Sequence, residues 1–143
     1  MQNPTGTLVA RLHAACPLQA GVTFLHSRVE QERLLYRELR RRALALLTDL
    51  QRQGVEPGDE VVLQIRDDRD FLTAFWACLL GRLVAVPLAV GTNDEHRRKV
   101  AAVWRRLDRP FLLVDTARTA EAMRNGFTPM SERRATADGA SFV

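Results

Sequence analysis

Two consecutive stretches decide the fold: LLYRELRRRALALLTDLQRQGVEPGDEVVLQI, from Leu34 to Ile65, and RDDRDFLTAFWACLLGRLVAVPL, from Arg66 to Leu88. In the first, apolar residues recur at spacings of three and four between Tyr36 and Gln53, which places them on one face of a helix. Gly54 and then Pro57-Gly58 follow, residues that end helices and form turns. The pattern therefore predicts a helix, a tight turn and a following strand.

Three short apolar runs predict strands: EVVLQI at 60–65, LVAVPL at 83–88 and FLLVD at 111–115. The segments between them are long enough for a helix each. Parallel strands need such crossovers, and the crossovers are right-handed in nearly all known cases. The predicted fold is therefore α/β, with a small parallel three-stranded sheet flanked by helices.

Cap signals mark where the two crossover helices begin. Asp67 or Asp68 can accept the first backbone N–H groups of one helix, and Thr92 with Glu95 matches a capping box for the other. Upstream of the long helix, TFLHS and ERLLY at 23–36 predict a short hairpin, which an N-terminal helix precedes. Order weakens after Arg118, so we expect a loosely ordered tail.

Composition is that of an ordinary globular domain. The chain has 143 residues, 46% of them hydrophobic and 27% charged, with a net charge of +4. No apolar run approaches the roughly 20 residues of a membrane helix. Arg11 and His13 interrupt the apolar residues near the N-terminus, so no secretion leader is indicated. We expect a soluble cytoplasmic protein.

Motifs within the two stretches occur in a characteristic order. LLYREL at 34–39, GVEPGDEV at 54–61 and DFLTAFWACLLGRLVAVPL at 70–88 together resemble the N-terminal portion of the adenylate-forming superfamily. That superfamily comprises acyl-CoA synthetases, fatty acyl-AMP ligases and the adenylation domains of peptide and polyketide assembly lines. The sequence of these motifs is most similar to that of the ligase domains of assembly lines. Two departures stand out: Leu35 replaces the usual hydroxyl residue, and Arg82 stands where glycine is usual.

The resemblance implies a partial AMP-binding N-terminal subdomain over residues 1–116, followed by the weakly ordered tail over 117–143. Complete members of the family use ATP and magnesium, and hold the phosphates with a Gly/Ser/Thr-rich loop that ends in Pro-Lys. The nearest candidate here, NGFTPMSERR at 125–134, has one glycine and no lysine. Lys99 is the chain's only lysine. We therefore expect no catalytic, cofactor-binding or metal-binding residue, and no cofactor for this chain by itself.

Two functional hypotheses follow from the resemblance. The first is a truncated N-terminal subdomain of an ATP-dependent acyl-adenylating ligase that is not catalytic alone. The alternative is an interaction module that completes a split ligase or an assembly-line protein, or that self-associates through an open sheet edge. A three-stranded sheet has unpaired edge strands unless further strands continue it.

Other residue groups have ordinary structural interpretations. Acidic residues are interspersed among the arginines, which favours solvated helix faces over a nucleic-acid surface. The histidines lack partners at ligand spacing, and the aspartates at the second helix start favour capping. The cysteines stand apart and favour neither a disulfide nor zinc. These groups are Arg37, Arg40, Arg41, Arg42, Arg97, Arg98, Arg105 and Arg106; His13, His26 and His96; Asp67, Asp68 and Asp70; and Cys16 and Cys78.

Overall fold

A computed structural model describes residues 6–26, 31–91 and 93–114, and the backbone alone of 134–136. The predicted helices, hairpin and strands are present in the predicted order. The elements are α1 (Leu8–Ala15), β1 (Gly21–Leu25), β2 (Gln31–Leu35), α2 (Tyr36–Arg52), β3 (Glu60–Gln64), α3 (Asp68–Gly81), β4 (Val84–Pro87), α4 (Asp94–Trp104), β5 (Pro110–Val114) and β6 (Arg134–Thr136).

Two sheets organise these elements. Strands β1 and β2 form an antiparallel pair, and the larger sheet has the order β4-β3-β5-β6 with every neighbouring pair parallel. The α/β class and the predicted three-stranded parallel core, β4-β3-β5, are confirmed. Strand β6 is a correction, because it adds a fourth strand from within the predicted tail. The remainder of that tail lies outside the described residues.

Helices cover both faces of the β4-β3-β5 part of the larger sheet, which explains why these three strands are largely apolar. Successive side chains of a strand point to opposite faces. On one face Val61, Leu63 and Phe111 pack with α2 and α3, and on the other Val62 and Leu112 pack with Trp104 of α4. A third cluster, Leu12, Leu34 and Leu39, joins α1 and the hairpin to α2.

The PGD sequence forms a tight turn before β3. Pro57 and Gly58 occupy its two central positions, and Gly58 has φ of 97°, as a type II turn requires. The backbone N–H of Asp59 donates to Glu56 O at 3.0 Å, while the N–H of Glu56 donates to the Asp59 carboxylate at 2.9 Å. The buried Asp59 carboxylate also lies 3.4 Å from Arg109, at the start of β5. The turn thus fixes where both strands begin.

The end of α3 explains why small residues are usual at positions 81 and 82. A Cβ on Gly81 would collide with a methyl group of Leu47, so a larger residue here would require that side chain of α2 to move. Arg82 has φ of 57° and ψ of 35°, the left-handed conformation that glycine adopts most readily. Leu83 N–H donates to Cys78 O at 2.9 Å and closes the helix. The structure therefore keeps the conformation of the usual glycine with an arginine in its place.

Arg82→Gly should stabilise the fold by about 1 kcal/mol, because it removes the steric cost of a Cβ in the left-handed region. Arg105 is a matched control, since it also occupies a helix C-cap but has φ of −65°. Arg105→Gly should give no gain. Urea unfolding of both variants measures the difference. Equal or lower stability of Arg82→Gly relative to the wild type would contradict the assignment of strain to this position.

Candidate functional site at the carboxyl edge of the sheet

The strand order points to one edge of the sheet as the candidate site. From β3 the chain passes through α3 to β4 on one side, then crosses back through α4 to β5 on the other side. Helices α3 and α4 pack on opposite faces. In open α/β sheets ligands bind outside the carboxyl ends of the strands, where the strand order reverses direction. That place is the edge formed by the ends of β3 and β5.

The residues that follow β3 at this edge are chiefly structural. Ile65 is buried in the apolar core. The Asp67 side chain accepts from Asp70 N at 2.9 Å and caps α3, as predicted, and Asp68 and Asp70 lie in the first turn of that helix. Their negative charges are favoured by the positive end of the helix dipole. Residues 115–133, which follow β5, lie outside the described residues.

Gln64 makes several side-chain hydrogen bonds at this edge, and the sequence did not identify it as a candidate site residue. Its side chain is completely buried, and its Nε2 donates to Leu88 O and Ala89 O, each at 2.9 Å. Its Oε1 lies 3.5 Å from His96 Nε2. An amide oxygen can only accept, so this contact is a hydrogen bond in the His96 tautomer that carries a proton on Nε2. Gln64 therefore ties β3 to the β4–α4 connection and to α4.

Residues next to the Gln64 hydrogen bonds also fix the start of α4. Asn93, rather than Thr92, is the N-cap, and its Oδ1 accepts from His96 N at 2.8 Å. The prediction of Thr92 as the cap is therefore wrong; Thr92 itself lies outside the described residues. A Cβ on Gly91 would lie 2.7 Å from His96 Cγ, so this glycine lets the connection pass close to the imidazole ring.

The histidines and cysteines noted in the sequence do not form a metal site in the part of the chain that the structure describes. His26 lies 3.6 Å from Glu32 in the hairpin, far in sequence from His96 on α4. No group of three or more His, Cys, Asp or Glu side chains in the described part of the chain could share a metal ion. Cys78 is fully buried, and burial raises the pKa of its thiol to about 12, so it stays protonated at neutral pH. A thiol that stays protonated is a poor nucleophile and metal ligand.

Glu38 in LLYREL is an ion-pairing residue of the first turn of α2. Its carboxylate lies 2.8 Å from Arg41 Nε and 2.7 Å from Arg42 Nε. Hydrogen bonds from Arg41 and Arg42 lower the pKa of Glu38 to about 2, so it is ionised at neutral pH. Both carboxylate oxygens are engaged by the helix's own arginines, which gives Glu38 a role in α2 rather than in proton transfer.

The described residues do not fit ATP and magnesium by themselves. Lys99 is 72% exposed on α4, and its Nζ lies 2.7 Å from Glu95, so its charge is paired at the helix surface. Of the carboxylates at the start of α3, Asp67 caps the helix and Asp68 and Asp70 lie in its first turn. In the segment 125–134, the nearest sequence candidate for a phosphate loop, residues 125–133 lie outside the described residues.

Comparison with known proteins identifies the family. Residues 12–123 match the sequence model of the AMP-binding enzyme family. The chain belongs to this family. The match covers most of the chain and confirms the resemblance carried by the three motifs.

Individual relatives agree with this assignment. A Caulobacter vibrioides protein named as an acyl-CoA synthetase is 36% identical over 87 residues, which is 60% of this chain and 15% of that protein. The structure of McyG A-PCP complexed with phenylalanyl-adenylate is 26% identical with a TM-score of 0.85, over 99% of this chain and 27% of that one. A structure from the studies of fatty acyl-adenylate ligases from E. coli and L. pneumophila is 26% identical with a TM-score of 0.76. The match covers 95% of this chain and 24% of that one. The chain therefore spans about a quarter or less of these relatives.

Membrane insertion by a helix is not indicated for the described residues, since none of their helices is both long and apolar enough to cross a bilayer.

Gln64→Glu should destabilise the fold more as the pH rises. An ionised carboxylate would face the Leu88 and Ala89 carbonyl oxygens with no hydrogen to donate, at a cost of about 3 kcal/mol or more. Burial raises the pKa of such a carboxyl above its ordinary value, so the penalty is smallest below pH 4 and grows as the pH rises toward 8. Urea midpoints between pH 4 and pH 8 measure it.

Gln51→Glu is the matched control, because Gln51 is exposed on α2. This variant should change stability by no more than about 0.5 kcal/mol at any of these pH values. A Gln64→Glu protein whose midpoint follows that of the wild type across the pH range would show that the buried amide does not hold the β4–α4 connection.

Proposed function

We propose that this chain forms the N-terminal subdomain of an ATP-dependent acyl-adenylating ligase, and that it does not form an acyl adenylate by itself. In the complete enzyme ATP and magnesium would activate a carboxylic acid, and the residues described here would supply the frame on which the catalytic parts assemble. A cytoplasmic location is part of the proposal, since the reaction uses ATP.

The family match over residues 12–123 is the observation that carries this proposal. The relatives that support it act on, or were solved with, activated acids: a phenylalanyl-adenylate complex and fatty acyl-adenylate ligases are among them. This chain covers 27% and 24% of those two chains. The phosphate-binding parts of a complete enzyme would lie in the portion that this chain does not cover.

The contacts of the motif residues support a frame rather than a catalytic role. The PGD residues form a turn, Gly81 allows α2 to approach α3, and Glu38 is bonded to two arginines of its own helix. Adenylation needs cations and donors around the phosphates in the transition state. Between β3 and α3, from Ile65 to Asp67, Arg66 is the one positively charged residue.

Pyrophosphate exchange tests the proposal directly. The purified 143-residue chain should give no ATP–pyrophosphate exchange above background with fatty acids, phenylalanine or 2-keto acids, while a complete fatty acyl-adenylate ligase serves as positive control. Lys99→Ala should behave identically. Exchange that requires one of these acids and co-purifies with the chain would contradict the proposal, and its loss in Lys99→Ala would identify the lysine responsible.

A docking function is the second candidate, in which the subdomain joins the remainder of a split ligase, an assembly-line protein or another copy of itself. Strand β4 is the last strand on its side of the described sheet, and its Val84 is 49% exposed. Leu18 and Leu25, in the layer of α1 and the hairpin, are 58% and 71% exposed. Exposed strand edges and apolar side chains favour association.

Light scattering coupled to size-exclusion chromatography distinguishes this candidate. Docking predicts concentration-dependent association of the chain, or binding of an apolar-surface dye, and both should decrease when Val84→Lys places a charge on the edge strand. A monomer at all concentrations that binds no dye would count against a docking function and leave the ligase proposal unaffected.

A further inference from the structure

Two buried side-chain nitrogens in the described part of the chain have no hydrogen-bond partner, and both belong to arginines. They are Nε of Arg40 on α2 and Nε of Arg69 on α3. Nearly all buried polar groups in folded proteins are hydrogen-bonded, and one that is not calls for an explanation such as a bound ion or water. A cationic donor is especially costly to bury without an acceptor. These two donors therefore point to an acceptor that the described residues do not supply.

Both arginines lie on the sides of α2 and α3 that face each other. Arg40 is seven residues before Leu47, which contacts the end of α3, and residues seven apart share a helix face. Arg69 is likewise seven residues before Trp76, which packs with the cluster that contains Leu39 of α2. The two helices lead into the starts of the parallel strands β3 and β4, so they run in the same direction and both arginines lie toward their starting ends. The two guanidinium groups thus belong to one groove between α2 and α3.

The charges at this groove leave one positive charge without a counter-charge. Arg69 Nη1 pairs with Glu32 Oε1 at 2.5 Å. The described residues offer the Arg40 guanidinium neither a hydrogen bond nor an ion pair. Arg40 is only partly exposed, unlike Arg37 of the same helix, whose side chain is exposed to water. One further negative charge would therefore balance the two arginines and Glu32.

The surroundings of Arg69 favour an anion with strong acceptor oxygens. Guanidinium N–H groups bind carboxylate and phosphate oxygens through directional, charge-assisted hydrogen bonds. Leu72 and Trp76, which follow on the same side of α3, are partly buried and apolar, and such surroundings strengthen these bonds by limiting screening by water. Asp68 and Asp70 are adjacent to Arg69 in sequence, but successive residues of a helix do not face each other. The groove therefore suits a small oxyanion.

We propose that Arg40 and Arg69 form a binding site for a small oxyanion between α2 and α3, in which each Nε–H group donates a hydrogen bond to the anion. Carboxylate and phosphate groups share this chemistry, and separate titrations distinguish them. The site does not depend on the ligase proposal, because it requires neither ATP nor acid activation.

NMR spectroscopy of the arginine Nε–H groups tests the site in the full chain. Titration with sodium phosphate or sodium acetate, compared with sodium chloride at equal ionic strength, should shift the Arg40 and Arg69 resonances until they saturate. Arg40→Lys keeps the charge but removes the Nε–H group. It should weaken binding, followed at the Arg69 resonance, about tenfold, as expected for the loss of one charge-assisted hydrogen bond. Arg69→Lys, followed at the Arg40 resonance, should do the same.

Arg37→Lys is the matched control, because Arg37 is exposed on the same helix. It should change binding by less than about twofold, as is usual for an exposed charge. Saturation with phosphate alone, with acetate alone or with both would support the site and identify the group that it takes.

Three results would overturn the proposal. Shifts no larger with phosphate or acetate than with chloride would leave water as the partner of both Nε–H groups. Saturable shifts at one of the two arginines but not the other would show that they do not share an anion. Equal weakening by Arg37→Lys and Arg40→Lys would show that the anion is not held by the Nε–H group of Arg40.

Discussion

The register of β3 against β4 depends on hydrogen bonds between two tight turns at the amino edge of the sheet. Gly58 N–H donates to Arg82 O at 3.0 Å, and Val84 N–H donates to Asp59 O at 2.9 Å. These bonds join the turn before β3 to the turn before β4, so the two strands start side by side. A shift of one residue would move every strand side chain to the opposite face, away from its helix. Both faces of the core therefore rely on this junction.

The same junction explains in physical terms which residues the family motifs contain. Positive φ at Gly58, the lack of a Cβ at Gly81 and left-handed backbone at Arg82 are requirements of backbone and packing. Each concerns how a helix and a strand are joined, and none concerns phosphate. A sequence can therefore carry the opening motifs of an adenylating ligase in the correct order without bearing any of its chemistry. The motifs identify the family because they build its frame.

Much of the fold could be predicted from the sequence because its signals are local. The helical spacing of α2, the turn residues at Pro57-Gly58 and the apolar strand runs each act within a few residues. Strand β6 could not be predicted, since Arg-Ala-Thr has no apolar run and its pairing with β5 is set by tertiary contacts. The cap of α4 was placed one residue early, because Thr92 and Asn93 are both good capping residues.

The candidate site was harder to predict, because its central residue acts through distant partners. Gln64 is one amide in an apolar strand, and the carbonyl groups it binds lie 24 and 25 residues further along the chain. Sequence spacing does not reveal such a contact. The nearest signal was the polar residue itself, in a run where every neighbour from Val61 to Ile65 is apolar and buried. Buried amides of this kind are retained only where their hydrogen bonds are made.

Electrostatics explain why a phosphate would not be held at the start of α3. A helix N-terminus normally attracts phosphate through its free N–H groups and its dipole. In α3 that end is already occupied: Asp67 accepts the N–H of Asp70, and Asp68 and Asp70 add two further carboxylates to the first turn. Three like charges would repel an incoming phosphate there. If the chain takes part in adenylation, the phosphates must be held by residues other than those at the start of α3.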